Sequence, residues 1–213
     1  MSLWEILNDA DERRARINRV NGVACGVITD NHDPEGRARV KVTFPWLGEG
    51  IESDWTRFVT FMAGRERGGY FLPEVGDEVL VAFEHGDINH PYVLGALWSS
   101  EDPPPEANRD GNNNIRKIKS RSGHELIFCD DDQARKEKIE IRTRSGHRII
   151  LDDSQGSEKV VIEDKTGSNV IRMDSVKGEI SLESRTSVKI RSQMIQIEGG
   201  ATVEIKGALV KIN

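Results

Sequence analysis

The stretch ISLESRTSVKIRSQMIQIEGGATVEIKGALVKIN, residues 180–213, decides the fold, because its apolar residues recur in i, i+2 pairs. Side chains two positions apart share one face of a β-strand. Successive pairs begin seven or eight residues apart, and mostly polar residues and glycines separate them. The pattern predicts a ladder of very short strands, each apolar on one face. The pairs are Ile180/Leu182, Val188/Ile190, Ile195/Ile197, Val203/Ile205 and Val210/Ile212.

This period is too short for one chain to pass around a closed β-solenoid, whose coils need roughly 20 residues. Three chains, each supplying one face, would close the tube and leave no sheet edge along its length. The period therefore predicts an intertwined homotrimeric β-helix. Its trimer core would contain Ile180, Leu182, Val188, Ile190, Ile195, Ile197, Val203 and Ile205. A meander of hairpins or a single-chain solenoid remains the alternative, although the Asn-Gly and Asp-Gly turns that favour hairpins do not occur after residue 180.

A longer repeat precedes this ladder. The turn Ser120–His124 recurs as Thr143–His147, with a weaker copy at Asp164–Ser168, and an apolar strand lies on each side of every turn. Internal periodicity of this kind is typical of a stacked architecture. We therefore assign residues 115–213 to a trimeric β-helical spike.

The sequence before residue 115 predicts structures other than a β-helix. Residues 1–19 form an amphipathic pattern with a capping box at Ser2 and Glu5, which predicts a short helical arm. The arm either folds on its own domain or docks on a neighbouring protein. Residues 20–98 predict an OB-fold barrel, and the proline-rich residues 99–114 predict a linker. The candidate barrel strands are Val23–Thr29, Ala38–Phe44, Trp55–Phe61, Glu78–Glu84 and Tyr92–Trp98.

Composition excludes some classes of protein. The formal net charge is −6 and no Lys/Arg-rich block is present, so nucleic acid is a poor candidate partner. Hydrophobic residues make up 36% and charged residues 31%, which suits a thin rod with most residues facing water. Met1–Val20 lacks a continuous apolar core and carries several arginines, so we expect synthesis in the cytoplasm without a signal peptide.

No motif predicts catalytic, cofactor-binding or metal-ligating residues. His124–Phe128 begins like a zinc-protease helix, but Phe128 stands where the second histidine must be. Asp130–Asp132 and Asp152–Asp153 follow strands and suggest solvated corners. We therefore expect a structural protein and not an enzyme. The alternatives are an OB-fold module that binds nucleic acid or glycan on a β-helical stalk, and a cell-wall hydrolase.

Several segments of the barrel resemble a known family of central spikes. The segments are DPEGRARVKV at 33–42, FPWL at 44–47, SDW at 53–55, FLPEVGDEVLVAFEHGD at 71–87 and PYVLG at 91–95. They resemble, in the same order, the OB domain of the valine–glycine repeat protein of type VI secretion, phage baseplate assembly protein V and the central spikes of contractile phage tails. The resemblance implies a spike at the tip of a contractile injection machine, in the baseplate of a virion or a secretion particle. Such a spike pierces a target envelope, with transient membrane contact, when the sheath contracts.

The resemblance also implies partners. The arm is too short to hold the hub domain fused to the secretion-system protein, so a separate hub protein is implied, contacted through Leu3, Trp4, Ile6 and Leu7. Some phage spikes bind an axial metal near the tip through His-x-His, and this chain has no such pattern. A small Pro-Ala-Ala-Arg (PAAR) tip protein is therefore implied at Val210, Lys211, Ile212 and Asn213.

Overall fold

The computed structural model describes residues 19–211, and its regular elements are β-strands with one 3-10 turn at Glu84–Gly86. The chain divides into two compact units, one up to Pro104 and one from Pro105. The strands of the first unit are β1 Val23–Asp30, β2 Arg39–Thr43, β3 Thr56–Phe58, β4 Ala63–Gly64, β5 Arg67–Gly68, β6 Glu78–Phe83 and β7 Pro91–Ala96. Those of the second are β8 Ile115–Lys119, β9 Glu125–Cys129, β10 Lys138–Arg142, β11 Arg148–Asp152, β12 Lys159–Glu163, β13 Asn169–Asp174 and β14 Glu179–Ser184.

The first unit is a closed barrel with strand order β1-β2-β3-β7-β6, in which β3 and β7 pair in parallel. Alternate residues of β2 and β6 point into the core, as the period of two requires. The core is Ile28, Val40, Val42, Phe44, Val79, Val81, Phe83 and Val93. The prediction of an all-β fold that begins with an OB barrel is confirmed. Only β3 is clearly shorter than expected, because the chain leaves the barrel after Phe58 and returns at Glu78.

Asp33 fixes the turn that joins β1 to β2. Its carboxylate accepts hydrogen bonds from the backbone N–H groups of Glu35, Arg37 and Arg39. The Arg39 guanidinium donates to both carboxylate oxygens, at 2.9 and 2.7 Å. These contacts hold the pKa of Asp33 well below its usual range, the Arg39 hydrogen bonds most strongly. Because the folded-state pKa is lowered, this turn stabilises the barrel at neutral pH, and the contribution is lost as the pH falls through that pKa.

The second unit contains a seven-stranded antiparallel meander in which β8 to β14 follow one another in sequence order. The strands expected on either side of the repeated turns all form. Gly123, Gly146 and Gly167 occupy the turns with φ angles of 85°, 104° and 69°, a conformation that favours glycine.

Residues 185–211 contain no regular strand. Of the five apolar pairs, only Ile180/Leu182 lies in a strand, so the expected ladder of short strands is not formed by a single chain beyond β14. The physical reason is that two- or three-residue strands need neighbours for their backbone groups, and the described part of the chain offers none here. The trimeric needle stays a prediction. The expected helical arm falls on residues 1–18, outside the described residues.

Candidate assembly interface

One face of the β8–β14 sheet is almost entirely apolar. In the observed register Ile139 lies opposite both Phe128 and Leu151, and Ile141 lies opposite both Leu126 and Ile149. The same alternation continues through β14, where Leu182 pairs with Ile171. We call this set the apolar face: Ile118, Leu126, Phe128, Ile139, Ile141, Ile149, Leu151, Val160, Ile162, Ile171, Met173, Ile180 and Leu182.

The apolar face is largely uncovered in the single chain. Exposed fractions are 49% for Ile141, 46% for Ile162 and 75% for Ile180. A continuous apolar surface of this kind marks an interaction site in a soluble protein. The sheet therefore presents an apolar surface that residues 19–211 leave largely uncovered.

The opposite face of the sheet carries its own network of ion pairs. Glu125 receives a hydrogen bond from Arg142 at 2.6 Å and lies 3.6 Å from the Lys119 ammonium. Arg148 pairs with Glu163 at 2.5 Å, and Lys159 with Asp152 at 3.2 Å. The Arg142 hydrogen bond is the main cause of a lowered pKa at Glu125. We call this the polar face, and its long side chains suit contact with water.

Glu140 is the exception on the polar face. It lies opposite Ile127 and Ile150 in the two neighbouring strands and is 7% exposed. Its Oε1 atom has no hydrogen-bond partner, and the Arg142 Nε atom is 3.8 Å away. Glu140 is thus a buried carboxylate with poor compensation.

The histidines of the repeated turns join successive repeats. The Nδ1 atom of His124 accepts the backbone N–H of Arg144 at 3.4 Å, and that of His147 accepts the N–H of Lys165 at 3.2 Å. Both side chains are exposed. Residues 19–211 contain no group of three or more His, Cys, Asp or Glu placed to hold a metal ion.

The predicted site residues have different outcomes. Ile180 and Leu182 lie on the apolar face, whereas the other predicted core residues lie beyond the last strand and are exposed in the single chain. Val210 and Lys211 are also exposed. The remaining predicted contacts lie outside the described residues: Leu3, Trp4, Ile6, Leu7, Ile212 and Asn213. Whether any of these residues meets a partner stays a prediction.

Sequence reasoning missed the part of the apolar face that precedes Ile180. The signal was present, because Leu126/Phe128, Ile139/Ile141, Ile149/Leu151, Val160/Ile162 and Ile171/Met173 are also i, i+2 pairs. Ile127, Ile150 and Val161 on the polar face hid it in three of these strands. They turn the alternation into continuous apolar runs, which do not identify a face.

Comparison with known proteins places the barrel in a family. Residues 24–98 match the family described as the type VI secretion system/phage-baseplate injector OB domain. The type VI secretion system spike protein VgrG4b of Pseudomonas aeruginosa is 36% identical over 146 residues, which cover 57% of this chain and 18% of the relative. The spike protein of Escherichia phage P2 is 30% identical over 90 residues, covering 42% of this chain and 39% of the relative.

A protein that is named as a toxin also matches part of this chain. The actin cross-linking toxin VgrG1 of Vibrio cholerae is 31% identical over 121 residues, covering 53% of this chain but 10% of the relative. The chain therefore spans less than half the length of each of these three relatives. No helix among residues 19–211 has the length and apolar character needed to cross a membrane.

Two glutamates of the polar face should respond in opposite directions to the same substitution. We expect Glu140→Met to raise the melting temperature, because replacing a poorly compensated buried charge with an apolar side chain stabilises by on the order of 1 kcal/mol. Glu125→Met should lower it, because three cations lose their shared carboxylate. Thermal unfolding followed by circular dichroism measures both. A fall in melting temperature for Glu140→Met would show that Glu140 is adequately paired.

Proposed function

We propose that this chain, which belongs to the central spike family of phage baseplates and type VI secretion systems, is the structural spike at the tip of a contractile injection machine. It would lie under a hub protein and puncture the envelope of the target cell when the sheath contracts. The machine would be a virion, a tailocin or a secretion particle, which receives the spike after its synthesis in the cytoplasm.

The observation that carries this proposal is the uncovered apolar face. Full burial of a Val, Leu or Ile side chain stabilises by roughly 1.5–3 kcal/mol, so covering this face provides a large driving force for assembly. Three copies of the sheet, each with its apolar face inward and its polar face outward, would form a closed prism. Residues 185–211 would then find in the other two chains the backbone neighbours that one chain lacks.

The dimensions suit a puncturing device. Seven strands at about 4.8 Å spacing, extended by the apolar pairs that follow β14, give a rod of about 50 Å. This exceeds the hydrocarbon thickness of a bilayer, about 30 Å. A closed tube has its backbone hydrogen bonds satisfied along its length, so axial load meets no open sheet edge.

The two ends of the spike would meet different partners. The barrel end and residues Leu3, Trp4, Ile6 and Leu7 would contact the separate hub. The far end, with Val210, Lys211, Ile212 and Asn213, would expose unpaired strands that a small PAAR-type tip protein could continue. We propose no catalytic role, because the relatives named as spike proteins support a structural one.

The prism makes a specific prediction for two adjacent residues. We expect Ile197→Asp to prevent assembly of the needle, because Ile197 shares the inward face with Ile195, and three carboxylates would be buried per trimer at several kcal/mol each. Glu198→Lys should assemble normally, because its side chain points outward. The measurement is the fraction of spike incorporated into injection particles purified from the producing cell, together with their killing of target cells. Equal incorporation of the two variants would show that the register is displaced by one residue.

The proposed contact with a tip protein leads to a second prediction. A chain that lacks Val210–Asn213 should form the same oligomer but fail to bind its tip protein, because it loses the strand ends that pairing would extend. Electron cryo-microscopy of assembled particles measures the result. A full-length spike whose end tapers by its own side chains, with no additional density, would contradict a separate tip protein.

A further inference from the structure

The segment between β3 and β6, residues 59–77, presents a fixed apolar surface on the first unit. We call it the aromatic loop. Its exposed large apolar side chains are Val59, Phe61, Met62, Tyr70, Phe71 and Val75. The loop is internally bonded, because the Thr60 hydroxyl donates to the Gly69 carbonyl at 2.6 Å and the Gly69 N–H donates to the Met62 carbonyl at 2.9 Å.

Two aromatic rings of the loop lie close to each other. The rings of Phe61 and Phe71 lie 6.2 Å apart. A Cβ atom at Gly69 would lie 2.2 Å from the Phe61 ring, so that position needs glycine for the ring to occupy its place. The loop is therefore a built surface, although its large side chains face outward.

A cleft of about 930 Å³ adjoins the loop. Its lining includes Trp55, Tyr70 and Phe71 together with the four arginines Arg37, Arg39, Arg57 and Arg67, and one carboxylate, that of Glu66. Among residues 19–211 neither the Arg57 nor the Arg67 side chain has a hydrogen-bond or ion-pair partner, whereas the side chains of Arg37 and Arg39 at the same cleft pair with Glu35 and Asp33. In a chain of net charge −6, this arginine–aromatic cleft is a local positive surface that suits an acidic, apolar occupant.

Residues 3–12 of this chain have that chemistry. The sequence LWEILNDADE contains four large apolar residues and four carboxylates, and it has no Lys or Arg. These residues lie outside the described part of the chain. The sequence pattern is consistent with docking of this segment either on its own domain or on a neighbouring protein.

The segment can reach the cleft of its own barrel. The backbone of Arg19 forms an isolated antiparallel β-bridge with that of Asp87. The Val20 N–H donates a hydrogen bond to the Gly86 carbonyl at 2.9 Å. From Asp87 the chain makes a turn, in which the His90 N–H donates to the Asp87 carbonyl at 3.0 Å, and enters β7, whose Tyr92 pairs with Arg57 on β3. Two strand-pairing steps of about 5 Å, this turn and the first two residues of β7 separate Arg19 from the cleft. The seven residues from Arg19 back to Glu12 span up to about 25 Å, which is sufficient.

We propose that residues 3–12 dock on the arginine–aromatic cleft of their own barrel. Carboxylates of the segment pair with Arg57 and Arg67, and Trp4 packs against the exposed rings of the aromatic loop. One consequence rests on the proposed function: the hub contact assigned to Leu3 and Trp4 would then have to displace the segment from the cleft. The docking itself concerns the isolated chain.

A photo-crosslinker at position 4 tests the docking in the full-length chain. Trp4 is replaced by benzoylphenylalanine, the protein is irradiated, and crosslinked peptides are mapped by mass spectrometry. We expect crosslinks within residues 55–72, reduced at least fivefold by the double change Arg57→Glu and Arg67→Glu. Arg109→Glu, at an exposed arginine outside the barrel, is the matched control and should leave the yield unchanged. Replacing Asp9 and Asp11 with arginine should restore the crosslink in the doubly reversed variant.

Three results would overturn the docking. They are crosslinks confined to other segments, a yield that charge reversal does not change, and crosslinks that join isotopically heavy to light copies instead of forming within one copy. None of these results bears on the spike, because the same chain could assemble through its apolar face with the N-terminal segment elsewhere. Conversely, a chain that never assembles could still show the intrachain crosslink.

Discussion

Residues 19–211 leave the apolar face of the β8–β14 sheet largely uncovered, and the rest of the second unit is arranged around that fact. On its opposite face Glu125, Arg148 and Lys159 form ion pairs, so the apolar face is the one that gains most from a further layer. An antiparallel sheet with one solvent-exposed polar face and one apolar face is stable when the apolar face is buried. Identical sheets can cover one another symmetrically, and the exposed pairs after β14 extend the same apolar surface.

Much of this organisation follows from short-range sequence signals. The strands from Ile115 to Met173 were predictable because short apolar segments lie on both sides of Gly turns, whose glycines at 123, 146 and 167 are 23 and 21 residues apart. The barrel was predictable because its turn residues and strand patterns occur in the order of a known domain. The face assignment was not, because Ile127, Ile150 and Val161 blur the alternation, and only the register of the paired strands separates the two faces.

Other features depend on contacts that no local pattern contains. Glu140 looks like an ordinary surface residue in the sequence, and its burial follows from Ile127 and Ile150 in the neighbouring strands. Arg57 of β3 and Arg67 of the β4–β5 hairpin line the same cleft, although ten positions separate them in the sequence. Residues 188–211 form no regular strand in the single chain. In our account, the neighbouring strands that they require belong to other copies of the chain.

The central claim is that three chains close the prism, and native mass spectrometry of the purified full-length protein at micromolar concentration tests it most directly. The account predicts one dominant species of three times the 23.9 kDa chain mass, which persists on dilution because the apolar faces are buried. A monomer of 23.9 kDa as the dominant species would contradict it, since the apolar face would then be stable in water without a cover.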